Sequence, residues 1–359
     1  MAKLQLFSPN NHSRHEINWK PIAPELEAEL RIFIASHYAF GAVPPILQVD
    51  EWERMSNNFR IRPSNSAGYP GALFRKHIQL KTKEIIVLLN NVREFLGSEG
   101  VPVSKVLLTK DNQTTFREGE HFYEMYEFIA GYHFRGAEKE LQEAARGIAM
   151  LHQALARIPF AEEILKNPPL LSSWNRNGWE YILTSAKMKQ EEIDVTLNQQ
   201  RGLVLQAIDA VERNSEAISR AKQQFIHCDL HPHNTIFRDG TLKALLDFEG
   251  VRMGELARDV ANACHRFVRQ FVVFHGGDWQ DPLRRGLELF LAEYTKHNSL
   301  GREELVLLPV FIQDELLRKL FKDLNLYYRE GYARNVEGGE LKKKLTLLQE
   351  AIAIGETRL

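Results

Sequence analysis

Two rhythms of apolar residues divide this 359-residue chain. Near the start, APELEAELRIFIASHY (23–38) sets Leu26, Leu30, Phe33 and Ile34 on one helical face, with Pro24 suited to a first turn. Short apolar runs follow at PILQVD (45–50), NFRIR (58–62), ALFRKHI (72–78), VSKVLLT (103–109) and HFYEMYEFI (121–129), each of strand length. One helical stretch, KEIIVLLNNVREFLGSEG (83–100), interrupts them and ends in helix-stopping glycines. Three strands, a helix and two strands predict a small α+β lobe with a mixed sheet. After Ala130-Gly131 the spacing becomes helical. In AEKELQEAARGIAMLHQAL (137–155), Leu141, Ala144, Ile148, Leu151 and Leu155 align, and further helices are expected near 176–190, 194–222, 255–275, 281–298, 302–329 and 341–352. The pattern predicts two lobes, 1–129 and 130–359, the second mostly helical with one β-like interruption at 225–250.

That interruption reads FIHCDLHPHNTIFRDGTLKALLDFEG. TIF (235–237) and LKALLDF (242–248) are apolar, and the Asp-Gly within RDGT (238–241) is the signal of a tight hairpin turn. Antiparallel pairing about that turn brings Asn234, entering one strand, near Asp247, ending the other. An amide oxygen and a carboxylate supply two hard oxygen ligands for Mg²⁺, whose shell is completed by water and phosphate. Asp229, on the loop just ahead, is placed to accept the proton of an attacking hydroxyl, with His227 bracing the loop. Phosphoryl transfer asks for this kind of positioning and charge neutralisation. A competing reading takes His227, Asp229, His231 and His233 as alternate zinc ligands on a strand. Pro232 interrupts such a strand, and zinc would leave Asn234 and Asp247 without a role.

Composition narrows the partners. The net charge is −1 and the pI about 6.9, so no global field recruits nucleic acid or an anionic membrane surface. Cys228 and Cys264 are the only cysteines and lack a C-x-x-C spacing, which favours a reducing compartment. No signal-peptide core opens the chain, and its longest apolar runs are too short for a membrane span. The expectation is a cytoplasmic protein that binds neither nucleic acid nor membrane. Nothing in the sequence specifies an oligomeric state.

HCDLHPHN (227–234), LLDFEG (245–250) and GELARDVANA (254–263) together resemble the aminoglycoside phosphotransferase and choline kinase family. ARGIAMLHQAL (145–155) is similar to a helix of that family that ends in Leu-His; the histidine, His152, is read as a core or capping group. In layout, with a leading helix and a long helical tail, the chain is also similar to N-acetylhexosamine 1-kinases. The resemblance implies a two-lobed protein-kinase-like fold with ATP and Mg²⁺ between the lobes and a small-molecule hydroxyl as acceptor. It implies Asp229 as catalytic base, Asn234 and Asp247 as metal ligands, and Asp259 as a mainly structural acid. A protein kinase is the poorer match, because His231 replaces the lysine two residues after the catalytic Asp and Asp247-Phe248-Glu249 is not D-F-G.

On the nucleotide side the resemblance implies backbone contacts to adenine from Glu127, Phe128 and Ile129. It also aligns Arg75 with the strand cation that reaches the phosphates, with Lys76 one residue on as the alternative, since alternation lets only one of the two point inward. The glutamate expected from the following helix is missing: Leu89 stands near its place, with Glu84 and Glu94 displaced. No G-x-G-x-x-G precedes, and Ser56, Asn57 and Asn58 stand where a phosphate-covering hairpin would turn. Glu249, Glu255 and Glu330, with Trp279, Tyr327 and Tyr328, are candidates for an acceptor pocket. Two function classes follow: an ATP- and Mg-dependent small-molecule kinase, or a catalytically silent nucleotide-binding scaffold of the same fold.

Overall fold

The computed structural model describes residues 6–7, 16–17, 19–39, 43, 45–49, 56–61, 71–77, 82–166, 173–188, 191–337 and 339–357. The first lobe holds β1 (Trp19–Pro21), α1 (Pro24–His37), β2 (Ile46–Val49), β3 (Ser56–Ile61), β4 (Ala72–His77), α2 (Lys83–Ser98), β5 (Val106–Leu107), β6 (Thr115–Glu118) and β7 (His121–Glu127). Among the described residues its seven strands run in the order β1-β2-β3-β4-β7-β5, with β6 also pairing β7. The sheet is antiparallel at every described pair rather than mixed. β4 and β5 flank α2 and run the same way, but β7 lies between them, so no parallel pair forms. Side chains alternate across the sheet. Phe59, Phe74 and Met125 bury one face against Leu30, Ile34 and Tyr38 in a compact apolar cluster.

The second lobe is built from α3 (Glu138–Leu155), α4 (Ala161–Lys166), α5 (Arg176–Met188), α6 (Glu192–Gln199), α7 (Arg201–Arg213), α8 (Ser215–Arg220), α9 (Leu256–His275), α10 (Gln280–His297), α11 (Arg302–Glu330) and α12 (Glu340–Glu356). Two antiparallel pairs sit among them, β8 (Gln223–Ile226) with β11 (Arg252–Glu255) and β9 (Thr235–Arg238) with β10 (Thr241–Leu245). The periodic α3 residues Leu141, Ala144, Ile148, Leu151 and Leu155 are all fully buried. Each such Leu or Ile contributes roughly 1.5–3 kcal/mol on leaving water. The single helix expected over 194–222 is three, with breaks at Gln200 and Asn214, whose backbones leave helical geometry (φ −102°, ψ 11° and φ −104°, ψ 8°). The Asn214 amide then bonds the Ala210 carbonyl, a competition with helical hydrogen bonding that apolar spacing does not reveal.

The β9–β10 hairpin turns at Asp239 and Gly240, both left-handed (φ 54° and 70°), as an Asp-Gly turn of this twist demands. A bulge at Lys243 shifts the register, so Leu245 faces Thr235 and the Leu246 N–H donates to the Asn234 carbonyl at 3.0 Å. Without that extra residue Asn234 would face Leu245; the bulge draws Asp247 one residue closer to it.

The two lobes meet where β7 runs into residues 128–132. Tyr132 forms an isolated bridge to Phe237, exchanging both backbone hydrogen bonds with it. A Cβ on Gly131 would collide with the Phe237 carbonyl oxygen. Above this junction a buried carboxylate ties the sheet to α2. Glu124 of β7 accepts from His77 Nε2 at 2.8 Å and from Asn90 Nδ2 at 2.9 Å. Burial alone would raise its pKa; His77, Arg93 and Arg75 outweigh that and bring it from 4.5 down to about 2.

A group whose folded pKa is depressed contributes stability above its unfolded pKa and loses it as pH falls through the folded value. Urea unfolding of the wild type should therefore weaken between pH 4.5 and about 2, by on the order of 3 kcal/mol from this group. Glu124→Gln should be less stable at pH 6 and show a shallower acid dependence over that window. Gly131→Ala should lower the urea midpoint at neutral pH, costing about 1–3 kcal/mol as an overpacked contact against backbone.

Candidate active site

A cavity of about 450 Å³ lies between the lobes. Its upper wall carries Leu73 and Arg75 of β4 with Asn58 of β3, its back Tyr126 and Arg93, and its edge Glu127, Phe128 and Ile129. The floor is Asn234, Ile236, Leu246 and Asp247. Trp19 closes one side, its ring 5.9 Å from Phe128 in an edge-on arrangement. The hairpin thus presents an amide and a carboxylate to the same space that the lobe junction lines with backbone.

The loop ahead of the hairpin is held from beneath. Asp259, at the start of α9, is buried and accepts from the His227 N–H (2.8 Å), the Cys228 N–H (3.0 Å) and His152 Nε2 (3.1 Å). His152 Nδ1 in turn meets the Tyr294 hydroxyl at 2.8 Å. Burial opposes ionisation of Asp259, but His152 and the donated N–H groups prevail and hold its pKa below the ordinary 3.8. Cys228 adopts a left-handed backbone (φ 72°), which an L-residue keeps only when its surroundings fix it. His227 Nδ1 takes the Asp229 N–H (3.4 Å) and its Nε2 meets the Leu246 carbonyl (2.9 Å). A carbonyl only accepts, so the proton sits on Nε2, and the ring clamps the loop to the strand that ends at Asp247.

Asp229 stands at the rim, its side chain half exposed. Its carbonyl accepts from Asn234 Nδ2 at 2.9 Å, which turns the Asn234 Oδ1 away from the loop. His231 Nδ1 accepts from the His233 N–H (3.2 Å), so Nε2 carries the proton and lies 3.5 Å from Asp229 Oδ2. Burial raises the Asp229 carboxyl, yet His231 and the more distant Lys319 outweigh it and hold the group well below 3.8.

Of the residues singled out in sequence, Arg75, Glu127, Phe128, Ile129, Asn234 and Asp247 line this one cavity and Asp229 borders it. Lys76, on the opposite face of β4 from Arg75, does not line it. Ser56, Asn57 and Asn58 open β3 instead of forming a turn, and the segment before them lies outside the described residues. Asn58 accepts from Arg75 Nε at 3.0 Å. Glu84 and Glu94 are exposed. The acid that α2 lacks comes from β7 as Glu124, and α2 instead sends Arg93 to the cavity; neither was singled out in the sequence. The signal was a glutamate in the middle of an apolar strand, since carboxylates are almost never fully buried unless paired.

Of the groups considered for an acceptor pocket, four are engaged elsewhere. Trp279 packs on Phe7 (5.3 Å), Tyr327 bonds Glu191, Tyr328 bonds Asp194 (2.6 Å) and Glu255 pairs with Arg258 (2.8 Å). Glu249 lies 3.9 Å from Arg75, and Glu330 is exposed at the end of α11. Among the described residues no three His, Cys, Asp or Glu side chains converge as metal ligands, and no helix is long and apolar enough to cross a membrane.

Solved structures share the fold. The spectinomycin phosphotransferase APH(9)-Ia, in complex with ADP and spectinomycin, is 13% identical over 94% of this chain and 98% of its own, with a TM-score of 0.65. Amicoumacin kinase hAmiN, in complex with AMP-PNP, Ca²⁺ and Ami, is 15% identical over 92% of this chain and 96% of its own, with a TM-score of 0.61. A microcompartment-associated aminopropanol kinase is 17% identical over 92% and 96%, at 0.59. At such identities the likeness is one of fold. No curated protein matches the chain. The model of the phosphotransferase enzyme family matches residues 78–297, more than half of the chain and the whole of the loop, hairpin and α9. The chain belongs to the phosphotransferase enzyme family.

Proposed function

We propose that this phosphotransferase is an ATP- and Mg²⁺-dependent small-molecule kinase that moves the γ-phosphate to a hydroxyl at Asp229. The observation that carries the reading is the meeting of Asn234, Asp247 and the 127–129 edge in one cavity with Asp229 at its rim. Residues 1–129 form the nucleotide lobe and 130–359 the helical lobe that receives the acceptor.

At the edge, the Glu127 N–H is committed to the Lys105 carbonyl and the Phe128 N–H to that of Gly71. The adenine rim is therefore met by the Ile129 N–H and the carbonyls around it, with Phe128 and Trp19 beside the base. Arg75 offers its charge to the phosphates. The Asn234 Oδ1, freed by the amide's donation to the Asp229 carbonyl, and the Asp247 carboxylate form a hard-oxygen pair suited to Mg²⁺. A bound Mg²⁺ neutralises phosphate charge and fixes the phosphate geometry. The Ca²⁺ in the amicoumacin kinase complex supports a divalent site in this fold.

The depressed Asp229 pKa makes its carboxylate a weak base. That suits a loose transition state, in which the hydroxyl is oriented first and gives up its proton late. His231 holds the carboxylate in place for this task. The similar structures include a spectinomycin phosphotransferase, an amicoumacin kinase and an aminopropanol kinase, so the first acceptors to test are amino alcohols, aminoglycosides and sugars.

ADP release across a panel of these acceptors tests the reading. One acceptor should give Mg-dependent turnover, which Asp229→Asn should lower by roughly 10²–10⁴-fold while nucleotide affinity is kept. Asp247→Ala should lose both turnover and metal-dependent nucleotide binding. The absence on α2 of a glutamate facing the cleft favours a second reading, a silent nucleotide-binding protein; tight nucleotide binding with no turnover on any acceptor would select it.

A further inference from the structure

The back of the cavity holds a cation with an unusual environment. Arg93 of α2 is only 8% exposed, yet it lines the cavity together with Arg75 and Asp247. Its guanidinium carbon lies 4.1 Å from the Tyr126 ring centre and 5.7 Å from that of Phe248. One of its terminal nitrogens donates to Asn90 Oδ1 at 2.8 Å. The Asn90 amide is oriented by chemistry: its Nδ2 donates to Glu124 Oε2 at 2.9 Å, and a carboxylate only accepts while a guanidinium only donates. Glu124 therefore reaches Arg93 through an amide. Among the described residues no carboxylate lies within ion-pair distance of Arg93.

A buried charge without a direct counter-ion is costly, and such groups are normally paired or hydrogen-bonded on every side. Arg93 has aromatic rings, an amide and the cavity. Tyr126 and Phe248 fix the guanidinium plane, and the flat fork is the geometry that grips two phosphate oxygens at once. Arg75, opposite Glu124 in the β4–β7 register, supplies a second cation from the neighbouring wall. Arg75 has Glu249 at 3.9 Å, whereas Arg93 meets Glu124 only through Asn90, so of the two arginines Arg93 is the one whose charge is left for a ligand in the cavity.

We propose that Arg93 is a second phosphate-binding residue of the cleft, gripping the nucleotide's phosphate chain beside Arg75. The inference rests on the nucleotide-binding reading above and adds a ligand that comes from the helix instead of the strand. Phosphate contact predicts a loss that depends on the phosphates, whereas a packing role would weaken all ligands alike.

Equilibrium binding of Mg·AMP-PNP and of adenosine to the full chain separates the two roles. Wild type should prefer AMP-PNP. Arg93→Met, which keeps an apolar stem against Tyr126 and Phe248, should weaken AMP-PNP by about tenfold or more and adenosine by less than about twofold. Arg93→Lys should recover part of the loss. Equal losses for both ligands, or an unchanged AMP-PNP affinity, would overturn the proposal. If Arg93→Met does not fold, Arg93→Lys decides: a loss confined to AMP-PNP supports the phosphate contact, and an equal or absent loss overturns it. A wild type that shows no preference for AMP-PNP over adenosine would instead overturn the nucleotide reading itself.

Discussion

The site depends on one buried carboxylate. Asp259 gathers two successive backbone N–H groups and the His152 ring, and so fixes the loop that carries Asp229 against α3 and α9. Its cost is desolvation, offset by three donors at 2.8–3.1 Å. The left-handed turn at Cys228 is tolerable only because these bonds impose it. From there the positions follow in sequence: His227 clamps Leu246, Asn234 closes on the Asp229 carbonyl, and the hairpin bulge delivers Asp247. Asp247 is itself left-handed (φ 61°), directly after the Leu246 that His227 clamps.

Facing that floor, the first lobe arranges charge in an unfamiliar order. The strand cation is Arg75, the acid stands behind it on β7 as Glu124, and the helix contributes Arg93. Glu124 stays ionised although fully enclosed, because His77, Asn90 and the two arginines surround it. The network stitches β4, β7 and α2 into one unit, so the same groups that steady the lobe also set the potential of the cleft. Stability and ligand electrostatics are carried by shared residues.

Which parts were legible in the sequence follows from distance along the chain. The loop and hairpin are contiguous, and Asp-Gly between two apolar runs fixes how they fold back. Asp229, Asn234 and Asp247 could therefore be placed from spacing, although the bulge that adjusts their register could not. The amphipathic helices were legible for the same reason, as α3 shows with five aligned buried residues. Arg93, Asn90, Glu124 and His77 come from three elements that meet only in space. A search for a glutamate on α2 directs attention away from the strand that supplies it. Trp279, Tyr327 and Tyr328 show the converse limit: an aromatic or acidic residue near a motif carries no sign of whether it faces a cleft or a neighbouring helix. Very short strands, β1 and β6 among them, escape a pattern that needs several alternations.

Everything proposed for the cleft turns on whether Asn234 and Asp247, brought together by the hairpin, hold a metal ion for the nucleotide. An electron paramagnetic resonance titration of Mn²⁺ into the AMP-PNP-loaded chain decides this. Tight, nucleotide-dependent Mn²⁺ binding that is lost in Asp247→Ala and weakened in Asn234→Ala is the predicted result. Mn²⁺ bound equally well by all three proteins would contradict it.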